Sequence, residues 1–578
     1  MRKTSIIKIS KNIIYSIFTF LAILIYFKII FKETSYNILL SLLFVFLYYF
    51  YFKNDKKYNK RDKKYSFIIS ILISAILSIG SIVSSYIFEP AVNIFILKNI
   101  IYTLISIMGF TLLFFKIFCN LLPYLNKINI LEKHENLSIK NFIIMVMIIL
   151  LGYSIYFIRY FPAIMTSDSY YVIHYANNFI LSDFHPFGHT WFVGIFLHLG
   201  KFIFHNMNKA VAFAAIIQMI CMVLIFSYSI KYLYDRGLKK SICILLLFVY
   251  ALNPLHCHYS ITLWRDILFG GAFVLLLISL YEFVAEEENI KIRYIVLFII
   301  GTLIILFFRN NGIYIYLFMI PFVIVILKKR RTMMSILCFS ILSFYFIVKG
   351  PVFSYFNIEK TTSVEAFSIP LQQIARVIAS DRDILGEDRV YLENLFNYKE
   401  VKEKYSPVIS DPIKNITNND VLSNNKIDFF KVYIKLFIKY PNVYAEAYFL
   451  QTLGYWYPDV IYWATAGESR GIFETEKIYN TPLTPDWYNN IIDTTTSRKL
   501  PLNNLIWSIG LNFIVLLTTS IIMFYLDKKK YLLCLIPLYG LWISIMLATP
   551  VFSELRYVYG LFTCMPIVVC IGLLKEKR

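Results

Sequence analysis

Charge is scarce in this chain: Asp, Glu, Lys and Arg make up 16% of its 578 residues, against roughly 25% in ordinary soluble domains. With 58% hydrophobic residues and a mean hydropathy of +0.63, that shortage excludes a soluble globular protein and puts the chain in a bilayer. Cysteine is present but unpatterned. Of the eight, only Cys257 approaches an exposed segment, and no CxxC pair occurs, so neither a disulfide framework nor a cysteine zinc site is expected. Positive charge is the exception to the scarcity, at a net +21. It is confined to short hydrophilic breaks between apolar runs, so it reads as topology and attraction to anionic membrane lipids, and no nucleic-acid partner is expected. After MRKTSIIKISK and the apolar run behind it no small-residue cleavage site follows. The segment is read as a retained first helix rather than a signal peptide.

A membrane span needs about 20 apolar residues. On that measure about fourteen spans are expected (13–15), at roughly 12–31, 36–53, 66–88, 97–118, 141–160, 209–231, 240–256, 267–284, 293–308, 313–327, 333–349, 503–526, 531–548 and 557–574. The expected class is an all-α polytopic membrane protein with a mostly helical extracytoplasmic domain. Lys and Arg crowd the N-terminal tail and residues 53–64, 231–240, 328–331, 528–530 and 575–578, whereas 161–190 hold neither. By the positive-inside rule this is a multi-pass protein of the cell membrane with both termini cytoplasmic. The apolar segment 190–205 carries His198 and Lys201 and is short. A span there would invert every later loop, so it is expected to lie on the membrane surface or half-inserted. Four regions follow: an N-terminal four-helix extension at 1–140, a membrane core at 141–349 whose first external loop is 161–208, an extracytoplasmic domain at 350–502, and a three-helix segment at 503–578. Within 350–502 the basic-aromatic stretch Phe429–Tyr440 and the run Tyr455–Trp456–Tyr457 look membrane-associated, and the latter offers either stacking faces for a sugar or an interfacial anchor.

The polar clusters fall at the ends of spans that charge counting places outside. Charges at a membrane edge are costly and tend to mark sites. Asp168, in FPAIMTSDSYY, is a candidate general base whose pKa partial burial would raise. Alternatively Thr166, Ser167 and Asp168 simply cap a helix. Asp183, His185 and His189 follow in SDFHPFGH, and seven of the eight histidines lie between His174 and His258. The i, i+4 spacing of His185 and His189 admits a metal, a substrate hydrogen bond or a purely structural role, and Pro186 between them weakens the first. Arg265–Asp266, then Arg309–Asn310–Asn311, then Glu554 and Arg556 complete the set. Two guanidiniums at one cavity are natural partners for a phosphate, which each can grip with two hydrogen bonds.

Taken with the spans between them, TSDSY (166–170), DFHPFGHTWFVGIFLHLGKFIF (183–204), LWRD (263–266), FRNNGIY (308–314) and ELRYVYG (554–560) resemble the GT-C superfamily of polyprenyl-phosphate-sugar glycosyltransferases. The likeness is to a bacterial branch near the protein O-mannosyltransferase and aminoarabinose-transferase folds. IPLQQIARV (369–377) and LGYWYPD (453–459) share it. The resemblance runs from about Asn141 to the C-terminus. It implies a membrane glycosyltransferase that moves a sugar from a polyprenyl-phosphate donor to an extracytoplasmic acceptor: a glycan, polymer, lipid or protein. Asp168 would be the acid of the first loop, and basic residues would hold the donor phosphate. The superfamily's paired acidic motif is absent, since Ser167 and Ser169 flank Asp168, so Asp183 is the candidate second carboxylate and a divalent metal stays open. A polysaccharide polymerase or ligase and a lipid or glycolipid transporter are the rival readings. The transporter predicts an internal repeat and midplane charges, and the sequence has neither.

Overall fold

Runs of Ile, Leu and Phe set the architecture, because in hydrocarbon a backbone must satisfy its own hydrogen bonds and a helix does so along its whole length. The computed structural model describes residues 2–31, 37–54, 58–89, 92–180, 182–358, 363–460, 462–465, 476–498 and 500–574. Among these every regular element is helical, and β contacts are limited to isolated bridges. Ten helices are long and apolar enough to cross a membrane, or eleven if the bent pair Lys240–Leu252 and Pro254–Ser260 is one span. The fold is therefore all-α and polytopic by length and composition.

Nine of the fourteen expected spans coincide with helices of that length. Four lie on shorter apolar helices, Leu42–Lys53, Ile292–Phe308, Gly312–Ile326 and Ile509–Tyr525. The expected span 240–256 is broken by 55°. Asn253 accepts the Leu255 N–H at 3.0 Å and Pro254, which has no N–H to leave unpaired, opens a second helix there. The tenth long helix, Phe187–Phe204, covers the segment 190–205. The C-terminal Lys575–Arg578 cluster used for orientation lies outside the described residues.

The centre of the bundle is Arg265–Ala285, buried from Asp266 to Val284 and faced by Met207–Asp235, Ile292–Phe308 and the last helix, Tyr559–Leu573. Of the four N-terminal helices, Lys60–Ser84 joins the rest: it packs on Ile509–Tyr525, where the Tyr525 hydroxyl donates to Asp62 at 2.8 Å and Arg61 pairs with Asp527 at 2.6 Å.

The segment 350–502 has two halves. Residues 364–444 enclose their own core, with Leu371, Leu392, Phe429 and Tyr444 at its centre. From Leu450 onward the chain joins the core of the membrane helices. IPLQQIARV proves architectural. Gln372 donates to the Ser406 and Ile409 carbonyls (2.8 and 3.0 Å), while Arg376 grips Glu446 at 3.1 Å and the Val92 carbonyl at 2.9 Å. The run Tyr455–Trp456–Tyr457 is a correction. Tyr455 and Tyr457 are 0% and 1% exposed, so these rings neither stack on a sugar nor anchor at an interface. They lock the 350–502 segment onto the bundle, with Tyr457 bonded to the Tyr26 hydroxyl at 3.1 Å. Helix Lys426–Lys439 buries Phe429, Val432 and Leu436 in the smaller core and leaves Ile427, Ile434 and Ile438 exposed.

Candidate functional site

Two loops at one end of the bundle are stitched together by backbone. Ile164 and Thr262 form a parallel bridge, in which the Ile164 N–H donates to Ile261 and the Leu263 N–H to Ile164, each at 3.1 Å. The Trp264 indole donates to the Thr166 hydroxyl at 2.8 Å and the Ser169 hydroxyl to the Leu263 carbonyl at 3.0 Å. Gln218, buried in the neighbouring helix, holds the Ser260 and Thr262 carbonyls. TSDSY is thereby docked on LWRD.

Thr166 is the N-cap of the loop helix Ser167–Asn178, with Ser169 accepting the Thr166 N–H at 3.1 Å. Capping thus falls to the residues on either side of Asp168, and its carboxylate is released for a tertiary contact. Arg556 Nη1 donates to Asp168 Oδ2 at 2.5 Å, across 388 residues of chain. Arg556 is itself boxed by aromatic faces, with its guanidinium 5.1 Å from the Trp264 ring centre and 5.8 Å from that of Trp463. The strip that carries it is placed by the 350–502 segment. The Tyr455 hydroxyl accepts the Glu554 N–H at 3.1 Å and donates to the Val551 carbonyl at 3.0 Å, while the Phe552 N–H reaches the Val408 carbonyl at 2.9 Å.

Arg309 enters from the turn after Ile292–Phe308. A Cβ on Gly312 would collide with the Ile305 carbonyl oxygen, so glycine there permits the tight turn that aims Arg309 inward. Its Nη1 lies 2.6 Å from Asp266 Oδ1, and its guanidinium covers the Tyr557 ring at 4.7 Å. Arg265 starts the central helix beside these groups and has no hydrogen-bond or ion-pair partner among the described residues. His185 stacks on Tyr171 (ring centres 5.3 Å apart) and His189 packs edge-on to Phe308. Both are buried, and all four ring nitrogens lack a hydrogen-bond partner. Beside them an apolar cavity of about 210 Å³ opens between the loop helix and Phe187–Phe204, lined by Tyr175, Phe179, Phe187, Trp191 and Ile195.

The electrostatics correct one expectation. Burial alone would raise the Asp168 pKa, but the Arg556 and Arg265 guanidiniums outweigh it and hold the carboxyl down to about 2. Sequence proximity shows no cation near Asp168; the fold supplies two. His185 is pushed down to about 4, first by burial and then by Arg265, so its ring is neutral. Glu554 moves the other way: burial, reinforced by Asp266 and Asp168 and opposed by Arg556 and Arg309, pushes its carboxyl up to about 8.

The fold therefore brings Asp168, His185, His189, Arg265, Asp266, Arg309, Glu554 and Arg556 into one neighbourhood. Three expected members sit differently. Asp183 pairs with Lys349 Nζ at 2.5 Å, and burial still keeps its carboxyl above the ordinary range. The carboxylates that share arginines with Asp168 are instead Asp266 and Glu554. Asn310 donates to the Asp183 carbonyl at 3.0 Å and belongs with that pair. Asn311 turns away to the Ser544 hydroxyl at 3.0 Å. The histidine spacing argument also fails, because Pro186 is the N-cap of Phe187–Phe204 and His185 precedes the helix that contains His189. No group of three or more His, Cys, Asp and Glu is arranged to hold a metal ion among the described residues. Lys349 and Trp463 were missed. Lys349 had a usable signal, a lone cation at the end of a span, the same cue that singled out Arg265; Trp463 had none.

No curated protein matches the chain, and no solved structure does. A match to DUF6020, described as a family of unknown function, covers residues 144–578, which includes every residue of the cluster and leaves out the first four helices. The chain belongs to this family.

Proposed function

We propose that this protein is a membrane glycosyltransferase that moves a sugar from a polyprenyl-phosphate donor to an acceptor outside the cytoplasm. The observation that carries the reading is a pair of buried histidines whose ring nitrogens are unpaired, set beside Arg265, a half-buried guanidinium without a partner among the described residues, and beside Asp168, Arg309 and Arg556. Polar groups at this depth are costly unless something meets them. An anionic phosphate bearing a sugar supplies acceptors for the guanidinium and hydroxyls for the imidazoles. The adjoining apolar cavity offers the first units of a prenyl chain a place beside the phosphate.

Transfer needs the acceptor oxygen to bond to the anomeric carbon as the carbon–oxygen bond to phosphate breaks. The bonding pair leaves on the phosphate oxygen, where Arg265 and Arg309 stabilise it, and the acceptor proton passes to Asp168. With a pKa of about 2 in the empty site, Asp168 is ionised but weakly basic. A donor phosphate competing for Arg556 would loosen that contact and raise the carboxylate's proton affinity when substrate is in place.

The same reading assigns fourteen spans, cytoplasmic termini, an external 350–502 and a surface position for 190–205. Supporting the last, Gly188 sits against Phe307, at the end of Ile292–Phe308, and Gly200 against Ala210, at the start of Met207–Asp235. The lysine pattern puts both those ends outside, so both ends of Phe187–Phe204 lie near one face. Single cysteines at Asn59 and Asn415, labelled in intact cells, test it: labelling at 415 alone is expected, and labelling at 59 alone overturns the topology. The activity is tested by incubating membranes with synthetic polyprenyl-phosphate sugars. Chain-dependent release of the sugar onto an acceptor is expected, and its absence across hexose and pentose donors would count against the assignment.

A further inference from the structure

Glu554 is the acid of the cluster that a cation holds most loosely, by an ion pair to an Arg556 guanidinium already bonded to Asp168. Asp168 is taken by Arg556 at 2.5 Å and Asp266 by Arg309 at 2.6 Å. Glu554 is 2% exposed, its Oε1 has no hydrogen-bond partner, and the nearest cationic atom, Arg556 Nε, stands 3.5 Å away. Its backbone is fixed by the Tyr455 hydroxyl, so the side chain has little freedom to seek water. With the two short acid–base pairs counted, Arg265 and Glu554 are left without a hydrogen-bonded counter-charge among the described residues. If Glu554 is ionised, the six charged groups sum to zero, and an arriving phosphodiester would leave a buried net charge of minus one. If Glu554 is protonated, Arg265 leaves plus one, which a phosphodiester monoanion neutralises.

Resting on the donor reading above, we propose that the site binds a phosphodiester anion together with one proton, and that Glu554 holds the proton. The groups facing Glu554 agree with that role. Asp266 from the central helix and Asp168 from the loop helix disfavour its anion, and Arg556 and Arg309 only partly compensate. The phenols of Tyr259, Tyr455 and Tyr557 complete its surroundings. Burial already pushes the carboxyl up to about 8 in the empty site, and a bound anion raises it further. His185, the competing proton acceptor outside the spans, starts at about 4 and would have to move much farther to carry a proton in the same range.

Linkage fixes the sign. A ligand that requires protonated Glu554 loses about tenfold in affinity per pH unit above the free pKa and is insensitive to pH below it. The probe is a synthetic polyprenyl methyl phosphate diester, which has no titrating group between pH 6 and 10, bound to the full-length protein in detergent. Calorimetry in two buffers of different ionisation enthalpy counts the protons. About one proton taken up per diester bound is expected at pH 9, and close to none at pH 6. Glu554→Gln, which is neutral at every pH and close to the same shape, should bind the diester at both pH values without proton uptake. Wild-type binding at pH 9 with no uptake, or full uptake in Glu554→Gln, overturns the proposal. Failure of the diester to bind either protein at pH 6 instead removes the phosphate reading on which it rests.

Discussion

The two ends of Arg265–Ala285 hold buried charge in opposite ways. At the far end, Glu282 is closed on all sides: the Tyr232 hydroxyl donates to its Oε1 at 2.7 Å, Arg236 Nε donates at 2.6 Å, and Arg236 also reaches Glu286 at 3.5 Å. No side-chain polar atom of these residues is buried without a hydrogen-bond partner. At the near end, Asp266, Glu554, Arg556, His185 and His189 all have such atoms, and Arg265 has no hydrogen-bond or ion-pair partner among the described residues. Both ends cost desolvation. Only the first has recovered it within the fold. A helix whose one end is saturated and whose other end is held unsatisfied by packing distinguishes charge used for structure from charge kept for a ligand.

The largest expected effect tests the saturated end. Glu282→Gln removes a buried carboxylate from Arg236 and Tyr232, and unfolding stability should fall by about 3 kcal/mol. Donor affinity and transfer rate, measured on the fraction that remains folded, should not change. An equal loss of donor binding would erase the distinction between the two ends.

Asp168→Asn probes the other end. Asn keeps the shape and still accepts a hydrogen bond from Arg556, and capping is unaffected because Thr166 provides it. Transfer by the folded protein should drop by about 10²-fold or more, since the amide cannot take the acceptor proton, and loss of the charged contact with Arg556 should lower thermal stability at neutral pH as well. Near-normal turnover in a folded protein would reduce Asp168 to one half of a structural ion pair.

Which parts of this comparison were legible beforehand follows from physics. Helix positions were readable because apolar runs fix them locally, and the polar residues at their ends stood out because charge beside a long apolar run is conspicuous. Partnership was not readable. Asp168 sits in a stretch without cations, and only the fold reveals that Arg556 and Arg265 surround it; Asp183, chosen as its companion by sequence proximity, is drawn to Lys349. The run Tyr455–Tyr457 looked interfacial because aromatic composition is the same for a buried clamp and a membrane anchor. Its burial depends on Lys60–Ser84 and the Val551–Glu554 strip, both distant in sequence.

A smaller effect separates the arginines. Arg265→Lys keeps the charge and loses the planar fork, so donor affinity should weaken about tenfold. Because Arg265 has no partner among the described residues, the unfolding midpoint should stay put. Arg236→Lys, at the saturated end, should do the reverse and lower the midpoint while sparing the donor. If Arg265→Lys also destabilises the protein, Arg265 is part of the scaffold and the contrast between the ends narrows.

The smallest effect lies in the pH dependence of stability, where two acids of the open cluster pull in opposite directions. Asp168 has a folded pKa of about 2, below its ordinary 3.8. Its contribution is present above about pH 4 and fades as pH falls toward 2. Glu554, at about 8 against an ordinary 4.5, favours the folded state only while protonated. That contribution is complete below about pH 4.5 and is lost as pH rises toward 8. Wild-type protein in detergent should therefore lose a few degrees of melting temperature between pH 5 and 8 that Glu554→Gln does not lose, while the acid limb below pH 4 is common to both. Asp168→Asn should flatten the acid limb and, by removing an anion that disfavours the Glu554 carboxylate, move the neutral limb to lower pH. If Glu554→Gln instead melts in parallel with wild type across that range, Glu554 is paired like Glu282 and the near end of the helix is as closed as the far one.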